Sequence, residues 1–369
     1  MGAPMNRRLV LAACVVVFGA CDKKEEPKAA APAGDRPAAA PEKPKIGLDS
    51  PKNNPKTVEV AKKALACPWK DDFDAACADY KTWLEDKAIY DEETFISMLE
   101  DPDEKVRFLG AKRLYDTLGV LDDKALAERL LTVAEKSKTP REQHPLGNSV
   151  GKIQLEGTDL FPRIKALLNA KETTPNMRVG ILGALMKTNP ASDDAFNLMR
   201  ESAKNPDFDS NVQGTAFGAM SWHTKPAKCD AFLEATQDAD DGRAGDATQF
   251  ILRSDQHCDA HYDAVIKSLE DRVKAKKVTN ALFGDALRLL CNPKGTAKPP
   301  QVKKAAAIAK KIAEDKKLEG RIRASGITGA AECDPKGAKA YSARFKKETD
   351  EDIKESVARI ERLAAQKKK

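Results

Sequence analysis

Metal-ligating residue types gather in one stretch of the chain: His223, Cys229, His257, Cys258 and His261. His257 and His261 stand four apart, the spacing that puts two imidazoles on one helix face where zinc could bridge them. Cys258 falls on another side of such a helix, and no second close-spaced pair completes a tetrahedral set. Oxidised cysteines cannot ligate, so the stretch reads as a disulfide with ordinary surface histidines and no metal. Asp238-Ala239-Asp240-Asp241-Gly242 invites calcium but lacks the D-x-D-x-D-G spacing and the later bidentate glutamate. It reads instead as a turn leading into a helix. No glycine-rich phosphate loop, G-x-S-x-G turn or paired-carboxylate motif occurs, which points to a protein that is not an enzyme and holds no cofactor.

The cysteines carry a different chemistry. Of the eight, Cys14 and Cys21 lie in the first stretch of the chain, leaving Cys67, Cys77, Cys229, Cys258, Cys291 and Cys333. An even set behind an export signal reads as disulfides in an oxidising compartment. Cys67 and Cys77 flank the Pro68-Trp69 break between two helices. Cys229-Asp230-Ala231 and Cys258-Asp259-Ala260 open similar helices, while Cys291-Asn292-Pro293 and Cys333-Asp334-Pro335 close similar ones. The expected pairs are Cys67–Cys77, Cys229–Cys258 and Cys291–Cys333.

The export signal itself is Arg7 and Arg8 followed by an apolar run from Leu9 to Ala20. That run is too short to span a bilayer but suits a secretory leader. Phe18-Gly19-Ala20-Cys21 resembles the lipobox of bacterial lipoproteins, although Phe18 stands where Leu, Val or Ile is usual. The resemblance implies a signal peptide over 1–20 and a lipid, palmitate included, on Cys21. An ordinary cleaved leader is the alternative, and Met5 serves equally well as the start. Leu11-Ala12-Ala13-Cys14 leaves too short an apolar run. Over 21–55 the chain is Lys, Glu, Ala and Pro with almost no large apolar residue, a composition that reads as a disordered tether. Its reach approaches ~100 Å at about 3.1 Å per residue.

Beyond the tether the elements that position everything else are amphipathic helices. In Asp101 to Leu118, DPDEKVRFLGAKRLYDTL, the residues Val106, Leu109, Leu114 and Leu118 form a helical stripe, and Asp103 and Glu104 suit a helix start. Related stretches run from Met177 to Leu185 and from Val212 to Met220. Weaker ones begin near Arg243, Val278, Ile322 and Ile353, at a spacing of roughly 35 residues. The D-P-x-x-x-V-R pattern resembles the second helix of a HEAT repeat. That likeness implies an all-α, right-handed α-α superhelix of stacked helix pairs over 56–369, with 56–90 as its N-terminal cap. It further implies that Asp101, Asp103, Arg107, Asp240 and Arg243 form a ladder at the repeat turns. Gly180, Gly183, Gly214 and Gly218 read as residues of architecture. Ser137 to Asp159, with two prolines and three glycines, reads as the least helical part, a worn repeat or a functional loop.

Removing residues 1–20 lowers the formal charge from +6 to +4. That is mild for so charged a chain and argues against nucleic-acid binding. Lys303-Lys304, Lys310-Lys311, Lys316-Lys317 and the tail 367–369 read as solvated helix faces. The resulting expectation is an exported lipoprotein of the bacterial cell envelope, facing the periplasm or the exterior. It would be held to the membrane by its N-terminal lipid and bind an unidentified protein partner through the solenoid surface. The alternative is a periplasmic enzyme, small-ligand or metal binder using the 137–159 loop or His223, His257 and His261.

Overall fold

The protein was analysed as a computed structural model, which describes residues 46–69, 77–292 and 294–366. The leader, Cys21 and the tether up to residue 45 lie outside those residues, as do residues 70–76. Among the described residues there are eighteen α-helices and no strand, only an isolated bridge between Leu121 and Ile153. The fold is therefore all-α. No described helix is long and apolar enough to cross a membrane.

The first helices are α1 (Pro55–Leu65), α2 (Ala78–Glu85), α3 (Glu92–Leu99), α4 (Glu104–Thr117), α5 (Lys124–Lys136) and α6 (Pro140–Gly151). Next come α7 (Phe161–Asn169), α8 (Pro175–Thr188), α9 (Asp193–Lys204), α10 (Ser210–Ala219), α11 (Ala227–Ala235) and α12 (Asp241–Leu252). The last are α13 (Tyr262–Lys274), α14 (Asn280–Leu290), α15 (Pro299–Glu314), α16 (Gly320–Cys333), α17 (Ala338–Ser342) and α18 (Glu351–Gln366). Their starts follow local chemistry. Asn54, Asp91, Asp103, Asp123, Thr174, Ser192, Asp209 and Asp240 each accept a hydrogen bond from a free N–H of the first turn. Pro55, Pro140, Pro175 and Pro299 fill the first helical position, where a missing N–H costs nothing.

Packing is local in chain order. Every closely packed helix pair lies one to three places apart. The even-numbered helices form two runs of successive neighbours, α4–α6–α8–α10 and α12–α14–α16–α18, while α3, α5, α7 and α9 make a looser parallel series. Between α10 and α12 the backbones approach less closely, and side chains bridge the gap: Phe217 meets Phe250 with ring centroids 6.1 Å apart. Buried apolar residues make one continuous cluster from Ala61 to Ala330, with a smaller one from Ala313 to Ile360 beneath the last helices.

Two departures from the sequence expectations have clear causes. Of the two readings of 137–159, the loop fails over 140–151, which form α6, and the glycines of that helix serve close packing against α8. A Cβ on Gly147 would lie 2.3 Å from the carbonyl oxygen of Met177, and one on Gly180 2.6 Å from the amide nitrogen of Asn148. Gly151 is equally pressed, against Ile181 and Ala184. Pro145 is tolerated inside this short helix, and Ser149 Oγ donates to its carbonyl at 3.1 Å. Of the four glycines read as architectural, only Gly180 is wedged in this way. Gly214 and Gly218 face open space, and Gly183 has only a methyl of Thr215 nearby at 3.7 Å.

The packed unit also begins earlier than residue 56. Residues 47–49 form a short 3-10 turn against α3, the N–H of Leu48 donates to Asp101 Oδ2 at 3.0 Å, and that of Asn54 to Thr94 Oγ1 at 2.8 Å. Gly47 has φ +65°, a conformation L side chains rarely adopt, and a Cβ there would collide with the Asp101 carboxylate. Behind it, fully buried Trp83 donates from Nε1 to the carbonyl of Leu109 at 3.3 Å. Buried Arg113 satisfies the carbonyls of Leu84 and Asp86.

Candidate binding groove

The metal-type cluster is dispersed. Cys229 and Cys258 form a disulfide with Cα atoms 5.5 Å apart. Cys67–Cys77 and Cys291–Cys333 are likewise joined, so the three pairs are those expected from the flanking residues. His223 is completely buried. Its ring stacks on Phe196 at 4.3 Å and its Nδ1 lies 2.9 Å from the carbonyl oxygen of Pro190. Burial holds its pKa below the usual imidazole value, against the smaller pull of the Pro190 bond and Asp193. His261 Nε2 instead meets Asp230 Oδ1 at 2.8 Å. His257 is exposed in a left-handed bend at φ 57°, so it shares no helix face with His261. Among the described residues, no group of three or more His, Cys, Asp or Glu is arranged to hold a metal.

The turn at Asp238 is spent on structure. Asp240 caps α12 through the N–H of Arg243 at 2.9 Å, and Asp238 Oδ1 accepts the N–H of Asp240 at 2.9 Å. Arg272 donates to Asp241 at 2.8 Å and to the carbonyls of Thr236 and Asp238 at 3.0 Å. The expected ladder residues divide into two kinds. Arg107 and Arg243 reach the neighbouring unit, Arg107 to Glu142 of α6 at 2.8 Å and Arg243 to Gln213 of α10 at 2.9 Å. Asp103 and Asp240 cap their own helices, and Asp101 takes the N–H groups of Leu48 and Asp103. Arginine cross-links between neighbouring helices recur, as in Arg272 to Asp241. Arg129 to Glu93 and Glu100, Arg163 to Glu135 and Arg323 to Glu348 are further examples.

The described surface does hold a convergent site, at α14, α16 and α18. These helices line an open groove of about 450 Å³. Each contributes residues at three- and four-residue spacing, hence on one face: Asn280, Gly284 and Arg288; Arg321, Ser325, Thr328 and Glu332; Asp352, Ser356 and Arg359. Gly284 and Ala324 keep the floor low. Above it runs a set of neutral bonds. Ser325 Oγ donates to Asn280 Oδ1 at 2.8 Å, Thr328 Oγ1 to Ser356 Oγ at 3.4 Å, and Ser356 Oγ to the Ala324 carbonyl at 3.4 Å.

Glu332 is the unsatisfied member. Its Oε2 is buried without a hydrogen-bond partner. Burial pushes its carboxyl above the usual range, although Arg288 and Arg359 pull the other way. No residue lining the groove is a histidine or cysteine, and its hydroxyls bond only to neutral groups. Such an arrangement offers donors and acceptors for recognition rather than an activated nucleophile. A second cavity, about 210 Å³ among α9 to α12, has an apolar floor that includes Phe217 and Met220. Its rim charges already satisfy one another, Lys204 with Glu234 at 2.7 Å and Arg243 with Asp238 at 3.4 Å. That leaves less for a ligand.

Sequence reasoning passed over every groove residue. The signal was present in the polar residues recurring along α14, α16 and α18, but each stripe alone looks like a solvated face. No family model matches the chain, and no curated protein matches it.

Proposed function

We propose that this chain is an exported scaffold, anchored through a lipid on Cys21, that binds a protein partner in the cell envelope without acting as an enzyme. Its helix pairs would stack as a HEAT-like right-handed superhelix, with the even-numbered helices on the concave side. The restriction of close contacts to neighbours in the chain supports that stacking, as does the tighter association of the even series than of the odd one. Three disulfides suit an oxidising compartment.

The observation that carries the reading is the α14–α16–α18 groove. A peptide backbone supplies carbonyls for Arg321 and Arg359 beside the hydroxyls of the groove, while Arg288 is held by Asp285 at 2.9 Å. The groove is open along its length and has no deep apolar hole, which favours an extended polypeptide over a small molecule. The 137–159 segment and the histidines supply no rival site, being taken up by packing and by separate local bonds.

A photo-crosslinking residue in place of Thr328 tests this in intact envelopes. The expected result is one dominant protein adduct, absent when the same residue replaces exposed Lys171 on the loop before α8. Equal labelling at both positions, or none at Thr328 in folded protein, overturns the reading. Mass spectrometry of the mature N-terminus tests the anchor separately: a diacylated Cys21 supports it and a free amine elsewhere removes it.

A further inference from the structure

The α15 side of the molecule carries a face that the groove does not use. Lys303, Ala307, Lys310 and Lys311 recur at three- and four-residue spacing and so share one side of the helix. Lys303, Ala307 and Lys311 are exposed. Beside them Val302, Ala306 and Ala307 floor a broad, open trough of about 630 Å³ that ends at Cys333, with Lys303 and Lys310 in its wall.

Some lysines on this protein are answered by a neighbour, as Lys165 is by Glu201 at 2.6 Å. Those on this side of α15 are not, and what sets them apart is the apolar trough between them. Among the described residues no carboxylate stands within ion-pair distance of Lys303, Lys310 or Lys311, and Lys310 lies over the Tyr341 ring at 5.5 Å. The acids nearby are engaged elsewhere. Glu314 pairs with Arg344 at 2.9 Å, Asp263 with Lys304 at 3.4 Å, and Asp334 in the trough accepts the N–H of Gly337 at 3.0 Å. Lysines meant only for solubility need no apolar floor between them. A cationic rim over an apolar trough is complementary to phospholipid, whose phosphates meet the ammonium groups while glycerol and upper acyl carbons meet the alanines.

We propose that this α15 face docks on the surface of an anionic phospholipid bilayer. The charge complementarity stands independently of the groove, which α15 does not line. It also stands independently of the lipid on Cys21, and the test removes that anchor.

The chain from residue 21 onward, with Cys21→Ser, retains every described residue. It is sedimented with vesicles of phosphatidylcholine alone or mixed with phosphatidylglycerol, at low and high salt. Binding is expected only to the mixed vesicles and is expected to fade with salt. Lys303→Glu with Lys310→Glu should weaken it about tenfold or more. Lys105→Glu with Lys171→Glu, an equal change of net charge elsewhere, should alter it less than about twofold. Lys303→Gln with Lys310→Gln provides a milder pair should the reversals disturb folding, which thermal unfolding reports. Absence of binding, equal binding to both vesicles, or equal loss in the Lys105/Lys171 pair overturns the proposal.

Discussion

The stretch from α3 to α10 and the stretch from α11 to α16 share close glycine packing, but only the second adds covalent staples. Between residues 78 and 228 there is no cysteine. There α6 and α8 meet backbone to backbone through Gly147, Gly151 and Gly180. From residue 229 onward Gly326 of α16 presses on the backbone of Ala309 and Ala313 in α15 in the same way, and two disulfides are added, Cys229–Cys258 tying α11 to the segment before α13, and Cys291–Cys333 tying the ends of α14 and α16. Close glycine contact excludes anything from between two helices. A staple at the helix ends leaves their outer faces free to carry Arg288, Ser325 and Glu332 around a groove. The difference teaches that similar helix pairs can be sealed in one place and open to a ligand in another.

The comparison can be broken most forcefully at the staples. Replacing Cys291 and Cys333 by Ser should cost about 2–4 kcal/mol in denaturant unfolding. It should cost more than removal of Cys67–Cys77, because the closed loop spans 42 residues against 10. Hydrogen exchange should then rise in α14 and α16 while α6 and α8 stay protected. The converse is Gly147→Ala, which forces α6 and α8 apart and should cost about 1–3 kcal/mol. An unchanged unfolding midpoint there would remove the glycine half of the comparison.

A smaller effect is expected at His223, where both regions meet. Its folded pKa is lowered, so the unfolded chain binds the proton more readily. Stability should therefore fall as pH drops from about 6.5 through the lower folded value. His223→Gln should flatten that slope, measured as unfolding free energy against pH. Gly214→Ala should show the smallest change and the opposite sign, a gain of about 0.5–1 kcal/mol, since the added methyl meets open space and favours the helix. A loss at Gly214 would mean that the bare face of α10 has a packing duty.

Much of this architecture was legible in the chain. Asp103 and Asp240 announce their helices because capping is a matter of a few consecutive residues. Two cysteine pairs were legible because their members sit at the same point of similar helix openings or endings, and the third because it flanks one break. The loop reading of 137–159 failed at α6 for an equally physical reason: glycine and proline at high density usually break helices, and the sequence does not say that α8 lies close enough to make the glycines necessary. Arg107 and Arg243 stood out in the chain, but the groups they bond did not. Glu142 and Gln213 lie far along the chain from them, at positions that no local pattern marks.

Sequence alone determined what depends on near neighbours along the chain: helices, their caps, and which cysteines match. Only the tertiary structure decided which polar stripes face one another, since Asn280, Ser325 and Ser356 come from three helices whose register is set by core packing. It also decided which glycines are wedged and which lie bare. Steric room and desolvation are properties of a neighbourhood, and that neighbourhood exists only once the helices have docked.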